Sequence, residues 1–197
     1  MTTARQRRGA AIIEMALLAF PLMILLFGMS VVGLNLGRHL HVAQICRDAG
    51  SMYVRGVDFS QDSNKDILVR LAYPLGLERT SGNGVVILSK ITFIPQATCT
   101  ALALNPCNGD KHVIMQRLVI GNASLKQSEI GTPYAPLLDA KGLVTNFMSE
   151  PSAVAHVPFI SLSADEYAYV SETYFPSPDF DLLGFQTGSG NYARALF

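Results

Sequence analysis

The chain has 197 residues, enough for one modest globular domain beside a membrane segment and too few for two large ones. Lys plus Arg and Asp plus Glu both number 15, so the formal net charge is zero and no overall field argues for nucleic acid or for an acidic partner. Only 15% charged residues, no Trp and a mean hydropathy of +0.28 would be odd for a soluble enzyme and suit a chain with one hydrophobic span.

The charge is unevenly placed. Arg5, Arg7 and Arg8 precede the first apolar run, and without them 12 basic residues face 15 acidic ones. From Ala10 to Leu36 a run of 27 residues carries a single charge, Glu14. As a helix this run measures roughly 40 Å, more than a hydrocarbon core requires. The arginines before it, with Arg38, His39 and His41 after it, favour a cytoplasmic N-terminus and a C-terminal body that is periplasmic or extracellular. A secretory signal peptide would have an apolar region of only about 7–15 residues. A lipoprotein would need a small residue before a cysteine at the end of the run, whereas Cys46 follows Ile45 and lies beyond Arg38. Pro21 is expected to kink this span rather than end it, because neighbouring helices in a membrane can accommodate the missing donor.

Past the span, Leu40, Ala43, Ile45, Cys46, Ala49, Met52 and Tyr53 are spaced as an apolar helical stripe between Arg47, Asp48 and Arg55. The spacing predicts that the first helix protrudes beyond the bilayer and packs on the head. Ser63 is a candidate N-cap for a short helix carrying Ile67, Leu68 and Leu71 up to Pro74. Val85 to Ile94, between Ser81-Gly82-Asn83-Gly84 and Pro95, reads as a strand, as do Val113 to Ile120 and Glu166 to Phe175. In the last, Tyr167, Tyr169, Ser171, Thr173 and Phe175 alternate with Ala168, Val170, Glu172 and Tyr174. Tyr192 to Phe197 supplies a final edge strand. Gly121 to Ser163 has turn signals and no sustained period, and Pro176, Pro178, Gly184, Gly188 and Gly190 mark a second loop. The architecture expected is α+β: a long N-terminal transmembrane helix with an amphipathic extension, packed on a small antiparallel β-sheet head. Its divisions are a basic leader over 1–9, a span and stem over 10–56, and an extracytoplasmic head over 57–197.

Cys99 and Cys107 flank a connection between two expected strands, where an oxidising compartment allows a disulfide; two free thiols are the alternative. Neither a CxxC nor a His-rich set accompanies them, so zinc is not expected, nor is any other metal or cofactor. Cys46 is expected to act as a small apolar residue on the packed face of the stem. His39 and His41, two apart on a helix, point to different sides and make a poor metal pair. Gly33 and Gly37, with Asn35 between them, form a small-xxx-small pair that permits close approach of another helix. No G-x-S-x-G, phosphate-binding glycine loop or H-E-x-x-H is present. His112, His156, Asp165 and Glu166 are scattered titratable residues of a kind found in almost any domain. Catalytic residues are therefore not assigned, and the chain is not read as an enzyme.

The most specific feature is Arg7-Arg8-Gly9-Ala10-Ala11-Ile12-Ile13-Glu14-Met15: a basic leader ending in Gly, then an apolar helix with a carboxylate at its fifth position. This resembles the processing site of type IV prepilin-like proteins. The resemblance implies cleavage by a membrane-embedded prepilin peptidase between Gly9 and Ala10. It also implies a pairing of Glu14 with the new amine of Ala10 on a neighbouring subunit. Read without the resemblance, Glu14 sits at the interfacial edge and meets water or headgroups. Glu14 through Gly28, then Gly37-Arg38 and the amphipathic run to Arg55, resemble the TadE-like proteins, minor pilins or pseudopilins of Flp (Tad) pilus systems. The motif covers about the first quarter of the chain, and Met15 departs from the aromatic usual after the glutamate. The resemblance implies a single-pass inner-membrane protein that works in pilus assembly, with adhesion and biofilm formation downstream. The implied partners are the inner membrane, the prepilin peptidase, other pilin or pseudopilin subunits and pilus assembly proteins. Two other readings stand beside it: a membrane-tethered periplasmic binding or enzymatic domain, and a minor pseudopilin of type II secretion.

Overall fold

The computed structural model describes residues 3–177 and 190–197, with side chains described from Ile13 onward. The leader's side chains, those of Gly9 and Ala10, and the loop positions Pro178, Gly184 and Gly188 lie outside the described residues.

One helix, α1 (Thr3–Val54), runs 52 residues without interruption, with Pro21 inside it. It is long and apolar enough to span a membrane: its most apolar 18-residue window has a mean hydropathy of 2.4 and no part of it is buried by the rest of the chain. The helix meets the head only in its last third. There Val42, Ile45, Cys46, Ala49, Gly50 and Tyr53 are buried, following the i, i+3, i+4, i+7 spacing of one helical face. The stripe expected from sequence is thus corrected at its start: Leu40 is 55% exposed and Val42 takes its place. The two lie about 200° apart around the axis, so the face that contains Ile45 and Ala49 must include the valine.

After α1 the chain turns back through α2 (Asp62–Leu71). Its start also corrects the expectation, since Ser63 lies inside the helix and Gln61 occupies the cap position without a side-chain cap bond. Asp58 organises the entry instead: its carboxylate accepts from the Ser60 amide at 3.0 Å and from the Ser60 hydroxyl at 2.6 Å, while its carbonyl accepts from Asn64 Nδ2 at 2.8 Å. Those bonds fix the turn that leads into the helix, in which the Asn64 and Lys65 amides both donate to Gln61 O at 3.1 Å.

The sheet comprises β1 (Val85–Ile94), β2 (Lys111–Gly121), β3 (Tyr167–Phe175) and β4 (Asn191–Leu196), ordered β2-β1-β3-β4 and antiparallel throughout. The strands appear where β-branched and aromatic residues alternate between turn residues. Val86, Leu88, Leu118, Ile120 and Phe175 face α1 and α2 and close a core with Ile45, Tyr53, Phe59 and Leu68. Burial of each such aliphatic or aromatic side chain contributes roughly 1.5–3 kcal/mol. The opposite face is covered too. Ile91, Ile114 and Val170 pack against Ile130, Val144, Ala153, Ala155 and Val157, all from the irregular stretch after β2. That stretch bonds along the outer edge of β2, with Arg117 N donating to Gly142 O at 2.7 Å, Val144 N to Met115 O at 2.8 Å and Ala155 N to His112 O at 2.8 Å. Between β1 and β2 lies the short α3 (Gln96–Ala101).

Candidate functional site

The residues singled out in the sequence fall into two groups that the fold keeps apart. Gly9 and Ala10 lie in the first turns of α1, and Glu14 follows one turn later with an exposed side chain. From there to Leu36 the apolar side chains stand clear of the head, with Met15 and Phe20 each 71% exposed and Leu34 62% exposed. A Cβ built on Gly33 or Gly37 would meet nothing within 4 Å. These glycines lie four apart on one face and leave room for a second helix to approach. Between them the Asn35 side-chain oxygen is buried against the helix without a hydrogen-bond partner among the described residues. The span therefore carries one carboxylate, one unsatisfied amide oxygen and a pair of small residues on an otherwise apolar rod. All are features that another helix could complete.

At the far end of the head, Cys99 and Cys107 are joined in a disulfide with Cα atoms 6.0 Å apart. Cys99 lies within α3 and is 3% exposed, packing with Ile94 and Val113. Cys46 is 1% exposed. Its Sγ donates to Ser171 O at 3.2 Å and faces Ala193 O at 3.4 Å, so the thiol lies between α1, β3 and β4. Burial pushes its pKa up, which keeps the thiolate scarce at neutral pH. We expect Cys46 to resist a maleimide in the folded protein and to react once the chain is unfolded, as read by intact mass; rapid native labelling would refute its placement.

His112, His156, Asp165 and Glu166 are not gathered into one site. His112 stacks at 5.5 Å on Phe93, and that strand residue separates it from the segment holding Asp165. Burial lowers the His112 pKa. Glu166 is engaged locally, accepting from Ser163 N at 2.7 Å. Among the described residues no three of His, Cys, Asp and Glu converge to hold a metal ion.

Sequence reasoning missed a buried ionic cluster on the sheet face away from α1. The Arg117 and Glu172 side chains are 4% and 1% exposed, with Nη1 and Oε2 3.9 Å apart. Glu172 Oε1 accepts from the Glu129 amide at 3.0 Å and from the Tyr192 hydroxyl at 2.7 Å, while Oε2 accepts from the Ser128 hydroxyl. Arg117 Nη2 donates to Gly131 O, and its Nε has no partner among the described residues. Burial pushes the Arg117 pKa down to about 10, opposed by Glu172, so it stays cationic at neutral pH. The same burial, with Glu172 beside it, raises the Tyr192 pKa. The cluster ties the segment 128–131 and β4 to β2 and β3. A charged residue in the middle of each of two apolar strands was the available signal, but nothing in the sequence said that their face would be covered.

A search for known relatives finds no matching family model, no matching curated protein and no matching solved structure.

Proposed function

We propose that this chain is a TadE-like minor pilin or pseudopilin that acts in assembly of a Flp (Tad) pilus. In this reading α1 is held single-pass in a bacterial inner membrane with its N-terminus cytoplasmic and the head periplasmic. After cleavage behind Gly9 the helix joins other pilin helices, in the membrane or in the filament, and the head meets assembly partners.

The observation that carries the reading is the contrast along α1. Its last third is absorbed into the head core, while the described side chains from Ile13 to Leu36, Glu14 and Asn35 among them, and the Gly33 and Gly37 positions stand clear of the described head. A rod meant only as a tether has no need of a carboxylate five residues into an apolar run, and such a charge is costly in lipid unless paired. The basic leader and Gly9 give that carboxylate its defined distance from a new N-terminus.

Processing provides the test. Co-expression with a prepilin peptidase should yield a mature chain whose intact mass and N-terminal sequence begin at Ala10, and a catalytically dead peptidase should leave Met1 or Thr2 in place. A chain never cut by an active peptidase would reduce the role to anchoring. A cut near residue 37 would turn α1 into a signal peptide.

A further inference from the structure

The described head has a defined underside. Along α1, Cys46 meets Ala193 and Gly50 meets the Phe197 ring, so β4 runs in the same direction as the helix and away from the end at which α1 enters. The entry end of the sheet is therefore where β4 begins, β3 ends and β1 starts. A cleft of about 740 Å³ opens there, lined by Arg38, Val42, Tyr73, Pro74, Asn83 and Asn191 among others. Tyr73 begins a single 3-10 turn that ends on Gly76, whose φ of 76° is the left-handed conformation that lets the turn stop there. Tyr73 is 77% exposed, and Leu71 beside it is 37% exposed. Nothing within the described head accounts for a tyrosine held so far out on a fixed turn.

Helix geometry sets the height of this cleft relative to a bilayer spanned by α1. If Glu14 marks the inner edge of a hydrocarbon core of about 30 Å, the outer edge falls about 20 residues later, near Leu34. Arg38 then lies about 6 Å beyond that edge and Val42, the first residue buried in the head, about 12 Å beyond it. The headgroup layer on each side is roughly 5–8 Å thick. Arg38 is thus within that layer and Val42 about 4–7 Å above it, so the cleft they share opens at the headgroups, with only Gly37 to His41 between the apolar run and the head. Tyrosine is a side chain suited to that depth, because its amphipathic ring sits at headgroup level, and an arginine there meets phosphate.

We propose that the Tyr73–Gly76 turn and Arg38 form a docking surface for phospholipid headgroups of the leaflet from which α1 emerges, so that the head rests on the bilayer instead of standing off it. The proposal depends on α1 spanning a membrane and on nothing else in the functional reading. Its consequence is a fixed azimuth and height for the head before any assembly step.

Because the chain has no Trp, Tyr73→Trp creates a single reporter at an exposed site. The full-length variant is reconstituted in phosphatidylethanolamine and phosphatidylglycerol vesicles that contain lipids brominated near the carbonyl end of the acyl chain. Tyr134→Trp is the control; that residue is 63% exposed and bonds to Ser152, in the part of the head beside Val113 and far from the entry end. Y73W fluorescence should fall about twofold with brominated lipid and be protected from aqueous iodide, while Y134W shows the reverse. Equal iodide quenching of both variants would mean that the head stands clear of the membrane. Protection of Y73W from both quenchers would mean that protein, not lipid, covers the turn. Either result overturns the proposal while leaving the anchor intact, provided the protein floats with the vesicles; failure to float would refute the membrane span itself.

Discussion

Glu172→Gln is expected to lower the unfolding free energy by roughly 3–5 kcal/mol, because it leaves the Arg117 guanidinium buried without its countercharge. The side chains are 4% and 1% exposed, so water cannot take over the carboxylate's role without opening the head. Glutamine keeps the shape and can still accept one of the bonds now made by the Glu129 amide and the Tyr192 hydroxyl, which isolates charge from packing. Against a total stability of about 5–15 kcal/mol the loss is large. In urea unfolding of the full chain in detergent micelles the midpoint should fall by about 1 M or more, with the slope unchanged. Arg117→Met combined with Glu172→Gln should recover part of the loss, since it removes the buried cation while the glutamine oxygen still accepts from the Glu129 amide and the Tyr192 hydroxyl. A Glu172→Gln chain within about 1 kcal/mol of the parent would show that the pair does not clamp the 128–131 segment.

That cluster also marks where sequence reading reaches its limit. The strands were legible because their alternation is local: Val85–Ile94 sits between Gly84 and Pro95, and Tyr192 onward forms the closing edge. The helix stripe was legible for the same reason, apart from its first member. What covers the second face of the sheet was not. Ile130 and Val144 reach the core singly from turns, and Ala153, Ala155 and Val157 alternate over only five residues between Pro151 and Pro158, too short and too weakly apolar a run to stand out, with backbone bonds that go to the edge of β2. Without that cover, Glu172 and Arg117 read as the solvent side of an alternating strand. Gly50 is a second case. A Cβ there would come within 2.2 Å of the Phe197 ring, a close approach between residues 147 positions apart that no local pattern signals. The apolar span, Glu14 and the glycine pair are different again: they were visible because they are written along one helix, and the described head does not cover them.

On the proposed pilin reading, with the chain cut before Ala10, Glu14→Ala should leave membrane integration unchanged or improved and lower incorporation into pili at least about tenfold, the effect of losing about 1.4 kcal/mol of coupling. Insertion gains because a carboxylate in the apolar zone costs free energy that alanine does not. Assembly loses because the lone carboxylate is the charge that can choose one register among many equally apolar ones. Ala10 and Glu14 are four residues apart, a rise of about 6 Å along the axis. Two parallel helices offset by that amount bring the amine of one beside the carboxylate of the other, where the low dielectric strengthens the attraction and each charge relieves the other's burial. Glu14→Asp keeps the charge on a shorter arm and should retain part of the assembly, whereas Glu14→Gln keeps the length without the charge and should fail like alanine. The measurement is the ratio of subunit in sheared filaments to subunit in the membrane fraction. If all four chains distribute alike, α1 is a tether, and the head works without helix pairing.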